Sequence, residues 1–438
     1  MQLLTRNVLQ SLMIVGFVFV LMTAFNSKVK PKSNSLAGEK PRIIISTDIG
    51  GSDPDDFQSM IHFLMYADQF QTEGLISSPF YFDEGSKKDI LKIIDLYEKD
   101  YPKLKKHGDY PGAESLRKVT KQGNTSKIPL YNGWNLPSEG SEWIIRQANK
   151  ESDQPLWILV WGGLGDVAQA LHDAPEIAEK IRVYWIGGPN KKWGVHPYVY
   201  IAQNFPDLWM IENNSTYRGW IIDSDAEEEF KKEKFFKKYI DNRGALGTDF
   251  GNYYEGAIKM GDTPSLAYLL DGDADKPSTE SWGGSFTKLP YSSIRKFNRN
   301  TTSSDTISTY SVIEWTFKQE TDDLQKKHEI WMEIDNQRIE GFYMGNGEYK
   351  VRFVPKKIGN WKYELNSSVE KLDGLTGEFI SANPWPGKRH PDNIPLNNWW
   401  SDKSDADLYI GEYQGAKTIS KWRETFLLDW AKRMKWLQ

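Results

Sequence analysis

The segment Thr47-Asp48-Ile49-Gly50-Gly51-Ser52-Asp53-Pro54-Asp55-Asp56 places four aspartates within nine positions. Gathered in a dry crevice, those carboxylates would repel one another strongly unless a cation compensated them. A hard divalent ion suits them, since calcium takes about six to eight oxygen ligands from carboxylates, main-chain carbonyls, water or sugar hydroxyls. The chain has no cysteine and only six histidines, none of them inside this loop. Zinc is therefore not indicated, and cysteine nucleophiles are excluded. A purely structural use is open to the same residues: Asp55 or Asp56 could cap a helix, and Gly50-Gly51 could simply turn the chain. Location decides in favour of chemistry, because the loop follows a strand and precedes a helix, where open α/β sheets place ligands.

The elements that must position this loop are legible in the residue pattern. Arg42 to Thr47 (RIIIST) is a β-branched run, and Phe57, Met60, Ile61, Leu64 and Met65 then recur at helical spacing. Glu73 to Ser77 supplies the next strand, completing a βαβ unit and implying a parallel sheet. Helices over Lys88 to Asp100 and Ser141 to Lys150, and strands at Leu156 to Trp161, Arg182 to Ile186 and Leu208 to Ile211, continue the alternation. Leu164, Val167, Ala168 and Leu171 mark one further helix. The fold class is α/β, a mostly parallel sheet flanked by helices, over residues 39–300. After the polar stretch Arg299 to Asp305 come short alternating runs, Val312 to Phe317, Ile330 to Ile334, Tyr349 to Phe353 and Trp361 to Leu365. Turn signals such as Gly345-Asn346-Gly347 separate them, predicting a small all-β sandwich over 305–385. A closing segment, 386–438, ends in an amphipathic helix carrying Trp422, Phe426, Leu427, Trp430 and Met434. Its apolar face must be buried, and packing it on the α/β layer would make the β module an insertion.

At 438 residues the chain has room for two or three domains. Leu12 to Phe25 is an apolar run behind Arg6 and ahead of Lys28, Lys30 and Lys32. That order is the pattern of a signal peptide, or of an N-terminal anchor if it is retained, over residues 1–38. Export, periplasmic or extracellular, is the expectation, with the membrane as a partner only if the segment stays uncleaved. A net charge of -5 with no basic stripe argues against a nucleic acid polymer as partner. Aromatic residues make up 13% of the chain, and Trp134, Trp193, Trp282, Trp399 and Trp400 stand in loop-like contexts. Their flat faces could stack on sugar rings.

The order strand, Thr47-Asp48, glycine, Asp55-Asp56, amphipathic helix resembles the signature of the nucleoside hydrolases. Asp48-Ile49-Gly50-Gly51 with Asp53-Pro54-Asp55-Asp56 is similar, more specifically, to the bacterial nucleoside-hydrolase-like proteins known as cellulose-binding. The resemblance implies a calcium ion held by Asp48, Asp56, the Trp161 carbonyl and Asp262. It further implies Asp48 as the base that activates water, and Asp55, Asn190 and Asn204 as sugar contacts. Asp262 before Thr263-Pro264 would also serve as a helix cap. The chain departs from the family pattern at Ser46, where an aspartate is usual, in a loop three residues longer between Asp48 and Asp55, and at Gly261, where purine-cleaving members place histidine. These departures point away from inosine or uridine. The β module is similar to immunoglobulin-like domains found beside glycan-processing enzymes, and could act as a spacer, a homodimer contact or a glycan-binding surface.

The functional expectation is an exported, calcium-dependent hydrolase of N- or O-glycosides, acting on a sugar derived from plant or microbial glycan. The alternative is a non-catalytic carbohydrate-binding protein of cellulose-binding type with a vestigial hydrolase site. For the acid that would protonate a leaving group, Asp53, Glu212, His196 and Tyr217 are candidates, none at a diagnostic spacing.

Overall fold

The computed structural model describes residues 39–319 and 329–438. The apolar run Leu12 to Phe25 lies outside the described residues, and among those described no helix is long and apolar enough to cross a membrane.

Strands β1 (Arg42–Thr47), β2 (Gln71–Ser77), β3 (Thr120–Gln122), β4 (Leu156–Val160), β5 (Ile181–Ile186), β6 (Trp209–Asn213) and β7 (Phe286–Lys288) belong to one sheet. Residues β8 (Tyr291–Ser292) follow, and then β9 (Ile294–Phe297), β10 (Thr306–Ser308), β11 (Val312–Lys318), β12 (Ile330–Ile334), β13 (Gln337–Gly345), β14 (Glu348–Phe353), β15 (Gly359–Ser367) and β16 (Leu375–Ala382) make a second sheet. Last come β17 (Ile394–Pro395), paired with β8, and β18 (Trp399–Asp402).

The first sheet runs β3-β2-β1-β4-β5-β6-β18-β7, parallel throughout except for the β18–β7 pair. Every residue of β1 is buried, as a strand covered on both faces requires. Its side chains alternate between two cores, Ile43 and Ile45 joining one cluster and Ile44 the other. Strand β18 enters between β6 and β7 only after the second sheet is complete, so the β module interrupts the α/β body. Trp399 and Trp400, read from sequence as loop residues, are in fact on this returning strand, with Trp399 wholly buried.

In the second sheet, β13 pairs with β12 through Gln337–Glu340 and with β14 through Gly341–Gly345. The strand thereby passes from one half of the sheet to the other, and the halves share one core, with Trp315 packed 6.0 Å from Phe379 and Phe353 5.4 Å from Trp361. Ile294–Phe297 lies upstream of the boundary drawn from sequence yet belongs to this module, because β9 pairs in parallel with Val312–Trp315 of β11.

The C-terminal helix Arg423–Met434 buries Phe426, Leu427, Trp430 and Met434 against the α/β body. Phe426 stacks on Trp220 at 3.7 Å, and Trp430 packs beside His62, Phe235 and Phe250. Trp430→Ala would leave a large cavity where three elements meet. It is expected to cost about 3–5 kcal/mol, read as a lower urea midpoint for loss of near-UV circular dichroism; an unchanged midpoint would show the helix to be dispensable for the body.

Candidate functional site

The acidic loop occupies the C-terminal edge of the parallel sheet, between β1 and the helix Asp55–Met65. Thr47 ends β1 and fixes the loop twice: its hydroxyl donates to Asp56 Oδ1 and accepts the Ile49 N–H at 3.1 Å. Asp55 and Asp56 open the helix, where the N-terminal dipole favours anions. Asp262 comes from across the pocket, at the start of the helix Thr263–Leu270. Asp55, Asp56 and Asp262 each bring an oxygen within 4.8 Å of the others.

Asp48 joins them from the end of β1. Close approach at its back depends on Gly162, where a Cβ would stand 2.5 Å from the Asp48 carboxyl carbon. Gly261 is constrained in the same way: its N–H donates to Asp55 Oδ2 at 3.2 Å, and a Cβ there would fall 2.4 Å from that oxygen. A side chain at 261, histidine included, would require the Asp55 carboxylate to move.

Burial, then the Asp83 and Asp55 carboxylates, pushes Asp48 up to about 8. Burial, then Asp53, carries Asp55 to about 7. Asp56 and Asp262 lie well above the carboxylate range, through burial first and then their acidic neighbours. Asp262 Oδ2 is buried with no hydrogen-bond partner. A buried, unpartnered carboxylate oxygen among crowded acids is costly unless something positive binds there. The donor set is all oxygen, so the residues present fit a hard divalent cation such as calcium.

The pocket above them has a volume of about 360 Å³ and is lined also by Phe80, Phe82, Asp83, Trp161, Asn190, Trp193, Tyr217, Arg218 and Lys259, with Gln337 and Lys356 from the β module. The family described as cellulose-binding Sde182, nucleoside hydrolase-like domain, matches residues 42–286, more than half of the chain. The chain belongs to this family. A domain of unknown function, DUF5060, matches residues 306–368 within the β module. No curated protein matches. Among solved structures, a nucleoside hydrolase-related protein of Saccharophagus degradans, described as associated with carbohydrate metabolism, is 18% identical over 78% of this chain and 99% of its own, with a TM-score of 0.49. An inosine-uridine preferring nucleoside hydrolase of Bacillus anthracis is 17% identical over 58% of this chain and 86% of its own, at TM-score 0.37.

Within this nucleoside hydrolase-like domain the structure brings together Asp48, Asp55, Asp56, Trp161, Asn190 and Asp262. The Asn190 amide nitrogen donates to the Trp161 carbonyl at 3.2 Å and to the Ile186 carbonyl at 3.0 Å. Both of its N–H groups are committed, leaving its oxygen for a ligand. Asn204 is not in the pocket: it is exposed at the far end of the helix Val195–Asn204, donating to the Tyr200 carbonyl at 2.8 Å. That helix is about 15 Å long, and Asn204 is its last residue.

Of the four acid candidates, Glu212 is fully buried against Lys191 Nζ at 2.6 Å, and His196 packs 3.4 Å from Arg352 in a neighbouring cleft. Asp53 sits at the rim, paired with Lys259. Tyr217 lines the pocket, its phenol pushed up to about 12 by burial. The residue reading missed Asp83, which follows the end of β2 and adds a carboxylate beside Asp48. Its signal was its position beyond a parallel strand's C-terminal end. It also missed Gln337 and Lys356, for which no local signal exists.

Proposed function

We propose that this chain is an exported, calcium-dependent glycoside hydrolase acting on a glycan-derived sugar. The observation that carries this reading is the convergence of Asp48, Asp55, Asp56 and Asp262 in one pocket walled by Phe80, Phe82 and Trp193. The family's cellulose-binding description and the apolar run at Leu12 to Phe25 support a carbohydrate ligand met outside the cytoplasm.

Asp48, Asp56, Asp262 and the Trp161 carbonyl would hold the ion. When bound, calcium supplies polarisation of water and orientation of a sugar diol. Asp48, which an ion in the site would keep ionised, would take the proton of the attacking water at a carboxylate oxygen while the water oxygen bonds to the anomeric carbon. The bond to the leaving group breaks as the sugar passes through an oxocarbenium-like state. Asp55 accepts a hydrogen bond from a sugar hydroxyl. Tyr217, which keeps its proton at neutral pH, is the candidate donor to the departing atom.

A second reading, binding without turnover, is favoured by one observation: no histidine lines this pocket among the described residues. Incubating the purified chain with nucleosides and with cello- and xylo-oligosaccharides, with calcium or with chelator, separates the two. Release of reducing sugar that stops with chelator is expected; retention of ligand on the protein with no product would establish the second reading.

A further inference from the structure

Two lysines from two modules stand at one side of the carboxylate pocket, Lys356 lining it and Lys192 buried against the lining residue Trp193. Lys192, on the helix Gly188–Trp193, is only 4% exposed, and its ammonium donates to the Gln337 side-chain oxygen. The same ammonium lies 3.9 Å from the centre of the Trp193 ring, a pocket-lining side chain. No carboxylate stands within 4 Å of it among the described residues: the nearest attractive charge is Asp335, whose carboxylate is 3.9 Å from Lys357. A buried ammonium with one amide acceptor and no counter-ion is an expensive arrangement. Burial, then Lys356, pulls Lys192 down to about 8, so a second cation aggravates the cost. Lys356 lines the pocket too and has neither salt bridge nor hydrogen-bond acceptor among the described residues.

Both β-module residues are delivered by chain reversals. Asp335 and Asn336 take φ of +54° and +56° in a two-residue turn between β12 and β13, and the tight reversal places Gln337 at the first position of β13. Lys356 sits in the connection between β14 and β15. Neither lysine is paired with the aspartates of the floor, so they do not serve as that cluster's neutralising partners.

We propose that Lys356 and Gln337, with the buried Lys192 ammonium held behind Gln337, form an anion-binding subsite at the mouth of the pocket, taking a carboxylate or sulfate substituent of the sugar whose hydroxyls meet the acidic floor. The proposal rests on the glycoside reading above. It assigns the substrate to acidic glycans, uronides or sulfated sugars, and makes the β module part of the binding site.

Calorimetric titration of the calcium-loaded full chain with glucose, glucuronate, glucose 6-sulfate and sodium sulfate tests it, with Lys356→Ala and Lys192→Gln beside the natural protein. A charge-assisted contact from Lys356, with the Lys192 charge close behind Gln337, should make glucuronate or glucose 6-sulfate bind at least about tenfold tighter than glucose. Lys356 is half-buried on a loop, so Lys356→Ala should fold and erase that preference. Tighter binding of only one charged sugar tells carboxylate from sulfate, and either supports the subsite. Equal binding of glucose and both charged sugars overturns the subsite while the glycoside reading stands, as does a preference that survives in both variants. Binding of sulfate alone, lost in Lys356→Ala, keeps the anion site and overturns the glycoside reading; no binding of any probe overturns both.

Discussion

Asp262→Ala is expected to abolish calcium-dependent stabilisation and to lower hydrolysis by at least about a thousandfold, a loss at the upper end of what one positioned catalytic group supplies. Asp262 is the partner that reaches the loop from a distant helix, and its Oδ2 is buried without a hydrogen bond. With it gone, the remaining donors, Asp48, Asp56 and the Trp161 carbonyl, come from the ends of β1 and β4 and the start of the first helix, and no carboxylate of the cage reaches the ion from the side of the helix Thr263–Leu270. The intact chain should gain about 2.7 kcal/mol of stability at calcium a hundredfold above Kd, and the variant should gain almost none. Without calcium the sign reverses. Asp262 is then one more buried acid pressed against Asp55 and Asp48, so its removal relieves repulsion and the variant should melt higher than the natural protein in chelator. Thermal melts of both proteins with calcium and with chelator check each part. Equal calcium-induced shifts in the two would mean that Asp262 is no ligand and that the carboxylate cage is misread.

The parts of this site that were legible in the sequence are the parts encoded locally. Thr47 to Asp56 is contiguous, so its acidic density and its place between a β-branched run and a helical repeat could be read directly. Asp262 entered through family resemblance, since nothing near it in sequence says that it faces Asp56. Asn204 was misplaced because a motif offset says nothing of helix direction, and the helix that begins at the sheet's mouth carries its last residue to the opposite edge. Trp399 looked like a loop residue because a four-residue strand returning from an inserted module has no periodicity long enough to detect. Gln337 and Lys356 lie far along the chain in a module that reads as a separate fold. Their contribution depends on where the β12–β13 turn points, a property of tertiary packing.

Acidity supplies the second large effect: rising pH lowers the stability of the metal-free chain and increases the stabilisation that calcium brings. Asp48 and Asp55 hold protons up to about 8 and about 7, and Asp56 and Asp262 are raised in the same direction. In the unfolded chain these groups titrate in the ordinary carboxylate range, near about 4. Between that range and neutrality the folded chain therefore binds more protons than the unfolded one, so its stability must fall as pH rises. The slope is about 1.4 kcal/mol per pH unit for each extra proton held. In chelator, the melting temperature should drop steadily between about pH 5 and pH 8, stability being greatest on the acid side. Calcium requires the same carboxylates ionised, so its affinity rises over that interval as protons leave. The calcium-induced shift in melting temperature should accordingly be small near pH 5 and largest near pH 8, flattening the profile seen in chelator. Differential scanning fluorimetry across this range, with and without calcium, reads both curves. A chelator profile that rises with pH would show the aspartates already ionised and paired with the pocket's own cations, leaving no vacancy of charge for a metal to fill.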